Sequence, residues 1–196
     1  MSGDRPFWVF AYGSLMWNPG FATPETQAAR LHGWHRAFCI YSEHYRGTPR
    51  KPGLILGLLP GGACRGLAHR LPRAGYDAVR RYLRTREIDN DGVYTEEVRP
   101  IHLHDGRVVE ALVYLADRQH RQFAGKLPAA KAAALVRGGR GATGTNVAYL
   151  RNTVAHLREL GLRDHALEEL ARRTGANGGR LGQTLGAGAS GGRQRR

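Results

Sequence analysis

Cysteine and lysine are scarce in this 196-residue chain, and no apolar run is long. The only two cysteines, Cys39 and Cys64, are too few for a disulfide framework, and they read as free buried thiols. A membrane-spanning helix needs about 20 apolar residues. The stretch Leu54–Leu59 is broken by Gly57 and closed by Pro60, and nothing longer replaces it. Residues 1–5 carry no basic segment leading into an apolar one, so the expectation is a cytoplasmic protein with no membrane contact. Three lysines stand against twenty-seven arginines, and with 16 acidic residues the net charge is +14.

Such a charge suggests a nucleic-acid partner, because basic faces release counterions from phosphates. Its placement argues otherwise. Six arginines fall in residues 172–196, where no acidic residue occurs, and the rest are scattered. The chain offers no basic helix, aromatic platform or zinc-finger spacing. Among its nine histidines, His102 and His104 alternate onto one strand face, and His32 and His35 lie three apart. Neither pair has a third ligand at a recognisable spacing, so no metal is expected.

A 41% hydrophobic share is adequate for a folded core, and a chain of this length makes one domain that buries roughly two-thirds of its unfolded surface. Residues 7–12 and 37–42 read as strands. Residues 53–60 and 64–71 look like two strands joined by a hairpin turn at Gly61-Gly62, and 93–103 and 107–115 like a second hairpin turning at Asp105-Gly106. Helices are expected over 76–87, 129–136, 146–160 and 165–173. In the longest, Val147, Leu150, Val154 and Leu157 share an apolar face, Gly161 marks its end, and Asp164 is placed to cap the next helix. Residues 174–196 are rich in glycine and arginine and too poor in apolar groups to order themselves, so a disordered tail follows a domain of residues 1–173. The tail contains Gly186-Ala187-Gly188-Ala189-Ser190-Gly191, a match to G-x-G-x-x-G. With no strand before it and no helix after it, the match carries no dinucleotide site.

The most informative segment is Tyr12-Gly13-Ser14-Leu15, directly after the apolar strand Phe7-Trp8-Val9-Phe10. Glycine permits a tight turn and a close ligand approach. Successive backbone N–H groups there form a concavity suited to an anion. Taken alone, these residues are equally an ordinary turn. The run Val9–Phe21 resembles the N-terminal signature of the ChaC-like γ-glutamylcyclotransferases, which degrade glutathione. Three further segments agree with that family in order: Tyr45-Arg46-Gly47-Thr48-Pro49 with Lys51-Pro52-Gly53, then Tyr82–Glu87, then Gly141–Asn146 with Tyr149-Leu150. Ala11 departs from a glycine common before the tyrosine, and an acidic loop, residues 88–92, follows Glu87.

The resemblance spans residues 7 to about 170 and implies an α+β fold whose curled, mixed, barrel-like sheet carries flanking helices. It implies a lyase for which glutathione is the small-molecule partner. In that reaction the α-amine of a γ-glutamyl group attacks its own γ-carbonyl, which calls for a base but no metal or other cofactor. Glu87 would be that catalytic base. Val9, Phe10, Ala11, Tyr12, Gly13, Ser14 and Leu15 would bind the glutamyl moiety, joined by Arg46 and Tyr149, with Lys51 and the helix start at Gly144-Thr145-Asn146 as further candidates. Two alternatives stay open: a cyclotransferase for other γ-glutamyl amino acids or amines, and a non-catalytic binding protein of the same fold.

Spacing supports Glu87 apart from the resemblance. Tyr76, Val79 and Leu83 recur at three- and four-residue intervals, and Glu87 lies four beyond Leu83, on the apolar side of its helix. Partial burial would raise its pKa toward the range useful to a general base. A salt bridge to a neighbouring arginine is the competing reading. Asp89, Asp91, Glu96 and Glu97 are expected in solvated surroundings.

Overall fold

The structure, a computed structural model, describes residues 7–89 and 92–176. Five strands close into a barrel: β1 (Trp8–Ala11), β2 (Thr26–Ser42), β3 (Gly53–Arg70), β4 (Tyr94–Leu103) and β5 (Val108–Ala116), in the order β1-β3-β2-β4-β5. All neighbours are antiparallel except β1 and β5, whose parallel pairing of Trp8 with Ala111 and Val9 with Leu112 shuts the barrel. β1 is buried along its whole length, which explains why its sequence is continuously apolar instead of alternating. The helices are α1 (Tyr76–Arg84), α2 (Ala129–Gly138), α3 (Asn146–Glu159) and α4 (His165–Thr174).

The expected hairpin at Gly61-Gly62 is not there. Residues 53–70 form one strand, both halves of which pair with the 17-residue β2: Trp34–Ser42 lies against 53–60, and Thr26–His32 against Ala63–His69. Gly61 and Gly62 have φ of +101° and +70° and sit opposite Gly33 (φ +81°), where the register shifts. Two left-handed glycines suit either a tight turn or a bulge, and the partner strand decides. That partner is half hidden in the sequence, because residues 26–36 interleave small and charged residues and expose every second one along much of their length. The true β2–β3 connection is residues 43–52. The second hairpin turns at Asp105-Gly106 as expected, with Gly106 at φ +91°.

The helices keep their expected faces. Leu150, Val154 and Leu157 of α3 are buried, Thr145 caps the helix by accepting from Ala148 N–H, and Gly161 follows its end at φ +67°. Asp164 caps α4 by accepting from Leu167 N–H at 3.1 Å. The folded chain continues past residue 173: Thr174 ends α4, and Ala176 is buried. The rest of the expected tail, residues 177–196 with the Gly186–Gly191 motif, lies outside the described residues.

Candidate active site

α1 does not end as an ordinary helix. After Arg84 the chain widens into a π turn over Thr85–Asp89, and Glu87 sits at its centre. Such turns recur at functional sites because they re-aim a side chain without breaking the helix. Leu83 is fully buried one turn earlier, and Glu87 follows it inward, its side chain only 17% exposed. Burial pushes the Glu87 carboxyl above its ordinary value, while the adjacent Arg86 guanidinium, 3.1 Å away, pulls it partly back. The arginine of the competing reading is therefore present, and burial outweighs it.

Glu87 borders two cavities. The inner one, about 50 Å³, is walled by Phe10, Tyr12, Tyr94, Tyr114 and Tyr149, with Gly13, Ser14 and Leu15 along one edge. The outer one, about 420 Å³, is lined on its basic side by Arg46 and Arg86. Ser14, Glu87, Tyr94 and Tyr149 line both. Burial is the main cause that raises all four tyrosines, with Glu87 the next cause at Tyr12 and Glu96 the next at Tyr114, so they are neutral phenols around one carboxylate. Three of them have their protons engaged by protein acceptors. Tyr12 donates to Tyr114 O (2.7 Å), Tyr94 to Leu56 O (2.6 Å) and Tyr114 to Glu96 Oε2 (3.0 Å). Tyr12 is thus a wall of the site and its hydroxyl is already engaged.

The Tyr12–Leu15 turn is held from behind by its carbonyls. Arg36, almost fully buried, donates its Nε–H to Tyr12 O and forms an ion pair with Asp164. His69, kept neutral by burial, bridges Thr26 Oγ1 (2.9 Å) and Leu15 O (3.0 Å). A carbonyl only accepts, so His69 donates through Nε2–H and accepts at Nδ1. A trans peptide points its N–H opposite its C=O. Anchoring Tyr12 O therefore turns Gly13 N–H the other way. Residues Ser14–Met16 wind as a 3₁₀ turn whose internal bonding starts with Met16 N–H donating to Gly13 O (2.9 Å), which leaves the Ser14 and Leu15 amides without an acceptor inside it. A Cβ at Gly13 would meet Leu56 at an ordinary contact distance, 3.4 Å.

The two later segments interlock. Ala142 and Thr143 N–H groups donate to His44 O and Tyr45 O, and Arg46 donates to Thr143 O while its guanidinium lies 4.9 Å from the Tyr149 ring centre. Asn146, fully buried at the start of α3, holds β3 through both Leu54 N–H and Leu54 O.

The structure thus brings Phe10, Tyr12, Gly13, Ser14, Leu15, Glu87, Arg46 and Tyr149 to one place. Val9 and Ala11 line neither cavity and belong to the barrel core. Glu96 differs from its expected solvated setting. Its side chain is 9% exposed and both its oxygens are taken, by Arg80 (2.7 Å) and by Tyr114. Tyr94, Tyr114, Arg36, His69 and Arg86 escape a reading of the sequence. Tyr114 falls in a run, Ala111–Ala116, that is buried without alternation. Nothing local distinguishes Tyr94, Arg36 or His69, and Arg86 falls inside the Tyr82–Glu87 segment without a role of its own. His32 and His102 do meet, ring centres 4.8 Å apart, but among the described residues no group of three metal-ligating side chains forms. Cys39 and Cys64 are buried and unpaired, their thiols pushed up to about 12 and about 11 by burial, so they are inert.

The fold and site are those of a closed barrel with one raised carboxylate beside a glycine- and serine-bearing turn. The family is shown by likeness. A model described as ChaC-like protein matches residues 7–176, and the chain belongs to that family. A glutathione-specific γ-glutamylcyclotransferase of Escherichia coli is 38% identical over 167 residues, 85% of this chain and 72% of that protein. One from Schizosaccharomyces pombe is 31% identical, covering 82% of this chain and 87% of its own length. The crystal structure of a yeast γ-glutamyl cyclotransferase specific to glutathione shares the fold, with a TM-score of 0.77 over 87% of this chain and 98% of that one at 22% identity. No helix among the described residues is long and apolar enough to cross a membrane.

Proposed function

We propose that this protein is a γ-glutamylcyclotransferase that converts glutathione to 5-oxoproline and Cys-Gly in the cytoplasm. The observation that carries the proposal is the placement of Glu87, raised by burial, on the cavity edged by Gly13, Ser14 and Leu15. The names of the relatives support the same reading.

The chemistry needs little else. Glutathione arrives with a protonated α-amine, which is not nucleophilic. Glu87 takes one proton, and the freed nitrogen attacks the γ-carbonyl carbon of the same molecule to close a five-membered ring. As the bond from that carbon to the cysteinyl nitrogen breaks, the leaving nitrogen takes the proton Glu87 holds. The second proton of the now cationic ring nitrogen passes by way of the emptied Glu87 carboxylate to the Cys-Gly amine, which departs as an ammonium. The two products together are an isomer of glutathione, so no water is consumed. Both reacting atoms lie in one substrate, and fixing a folded conformer lowers the barrier by removing orientational freedom beforehand. The amides of the Tyr12–Leu15 turn receive the substrate carboxylate or the developing oxyanion. Arg46, across the outer cavity, faces the glycyl carboxylate.

Incubation of the purified protein with reduced glutathione tests this reading. Equimolar 5-oxoproline and Cys-Gly are expected. Absence of 5-oxoproline would leave a binding protein of the same fold.

A further inference from the structure

Arg86 occupies a position that catalysis by Glu87 alone does not explain. Its Nη2 donates to Ser14 Oγ (2.9 Å), its Nη1 to Asn18 O (2.7 Å) and to the Tyr82 hydroxyl (2.9 Å), and its Nε lies 3.1 Å from Glu87 Oε1. The segment it grips wraps closely around α1: Gly20 has φ +78°, and a Cβ there would fall 2.0 Å from the Tyr82 hydroxyl. Among the described residues, no backbone hydrogen bond joins the Ser14–Gly20 segment to the Thr85–Asp89 turn. The two parts of the site that must act on one substrate are far apart in sequence and rest on different elements. One guanidinium spans them.

Building on the proposed cyclotransferase reading, we propose that Arg86 is the positioning residue of this site, holding the Ser14 turn and the Glu87 carboxylate in one frame so that a glutamyl group gripped by the turn presents its amine to the base. Lysine cannot substitute. A guanidinium fork satisfies several acceptors in fixed directions, whereas an ammonium is a point charge on a flexible stem. Arg86 also opposes the burial that raises Glu87. The groups facing Glu87 from other elements are Tyr12 after β1, Tyr94 on β4, Tyr114 on β5 and Tyr149 on α3, all neutral, with Arg46 across the outer cavity. Glu96 is turned to Arg80 and Tyr114.

The test compares Arg86→Lys and Arg86→Gln with the wild type in 5-oxoproline release from glutathione across pH, with Tm and circular dichroism measured on each. In Arg86→Lys the geometry loosens while the charge stays. Its kcat should fall by about 10–100-fold, as for a misplacement near 1 Å, with KM nearly kept and the acid limb of kcat/KM little moved. In Arg86→Gln the opposition to burial is gone. Its kcat should fall at least as far, and its acid limb should move to higher pH. Folded variants with wild-type kcat and an unmoved limb would overturn the proposal and leave Arg86 a structural tie. An inactive wild type would instead strike the cyclotransferase reading, and this inference with it.

Discussion

Glu87 and Glu96 approach the same tyrosine-lined end of the barrel, yet the fold treats them in opposite ways. Glu96 lies on β4, fixed by its ladder with β5, and both oxygens are engaged by Arg80 and Tyr114. Glu87 lies on a π turn, with one oxygen near Arg86 and the other without a hydrogen bond among the described residues. A fully bonded carboxylate is structure. A desolvated one with an open oxygen can exchange a proton. What separates them is the competition between burial and partners, and that competition can be altered one residue at a time.

The largest expected effect is at Glu87. Glu87→Gln keeps the side chain's size but cannot accept the ammonium proton, so kcat should fall by about 10²–10⁴-fold, the usual cost of losing a general base. Because burial raises the Glu87 carboxyl, the folded state binds its proton more tightly than the unfolded chain does. Its contribution to stability is therefore lost as pH rises through the folded value. The neutral amide should accordingly raise Tm at neutral pH. A drop in Tm together with unchanged kcat would make Glu87 a structural carboxylate of the same kind as Glu96.

The next effect lies at the mouth and concerns selection among substrates. In the proposed reading Arg46 faces the glycyl carboxylate, and a charged hydrogen bond is worth about 1.5–3 kcal/mol. Glutathione should therefore exceed γ-glutamyl-alanine by about 10–100-fold in kcat/KM, each factor of ten corresponding to about 1.4 kcal/mol. Arg46→Gln should erase most of that ratio, chiefly through the KM for glutathione. Comparable kcat/KM for the two substrates in the wild type would point to a cyclotransferase of broader γ-glutamyl specificity.

The smallest effect on turnover is expected at Glu96. Glu96→Gln leaves the half-exposed Arg80 without its charged partner, a loss near 1 kcal/mol after solvent screening, or about 2–4 °C in Tm for a domain of this size. Turnover should stay close to wild type. A collapse of kcat in a folded Glu96→Gln protein would show that the two carboxylates act as a pair.

Much of this contrast is legible in the sequence, for reasons that differ by residue. Glu87 can be placed because Tyr76, Val79 and Leu83 define an apolar face that ends on it, and local spacing survives folding. The turn at Tyr12–Leu15 can be placed because a buried strand must end where glycine and serine follow. The setting of Glu96 escapes notice, because its partners come from α1 and β5 and only the barrel's closure brings them near. The same holds for Arg36 and His69, which grip Tyr12 and Leu15 from strands distant in the chain. Gly61-Gly62 misleads in the opposite direction: local chemistry permits a hairpin, and the long partner β2 makes it a bulge. The wall of phenols is out of reach as well, since an apolar run shows that a strand is buried but not which pocket its residues line.

Burial, opposed only in part by Arg86, raises the Glu87 carboxyl, and everything proposed for this site depends on that balance. Titration of the glutamate side-chain carboxyls by carbon NMR, with Glu87→Gln used to assign the resonance, reads it without an intermediary. The Glu87 midpoint should lie above the ordinary glutamate range and coincide with the acid limb of kcat/KM for glutathione. A Glu87 carboxyl that titrates at or below that range, or an acid limb that does not follow it, would refute the assignment of Glu87 as a base poised by burial.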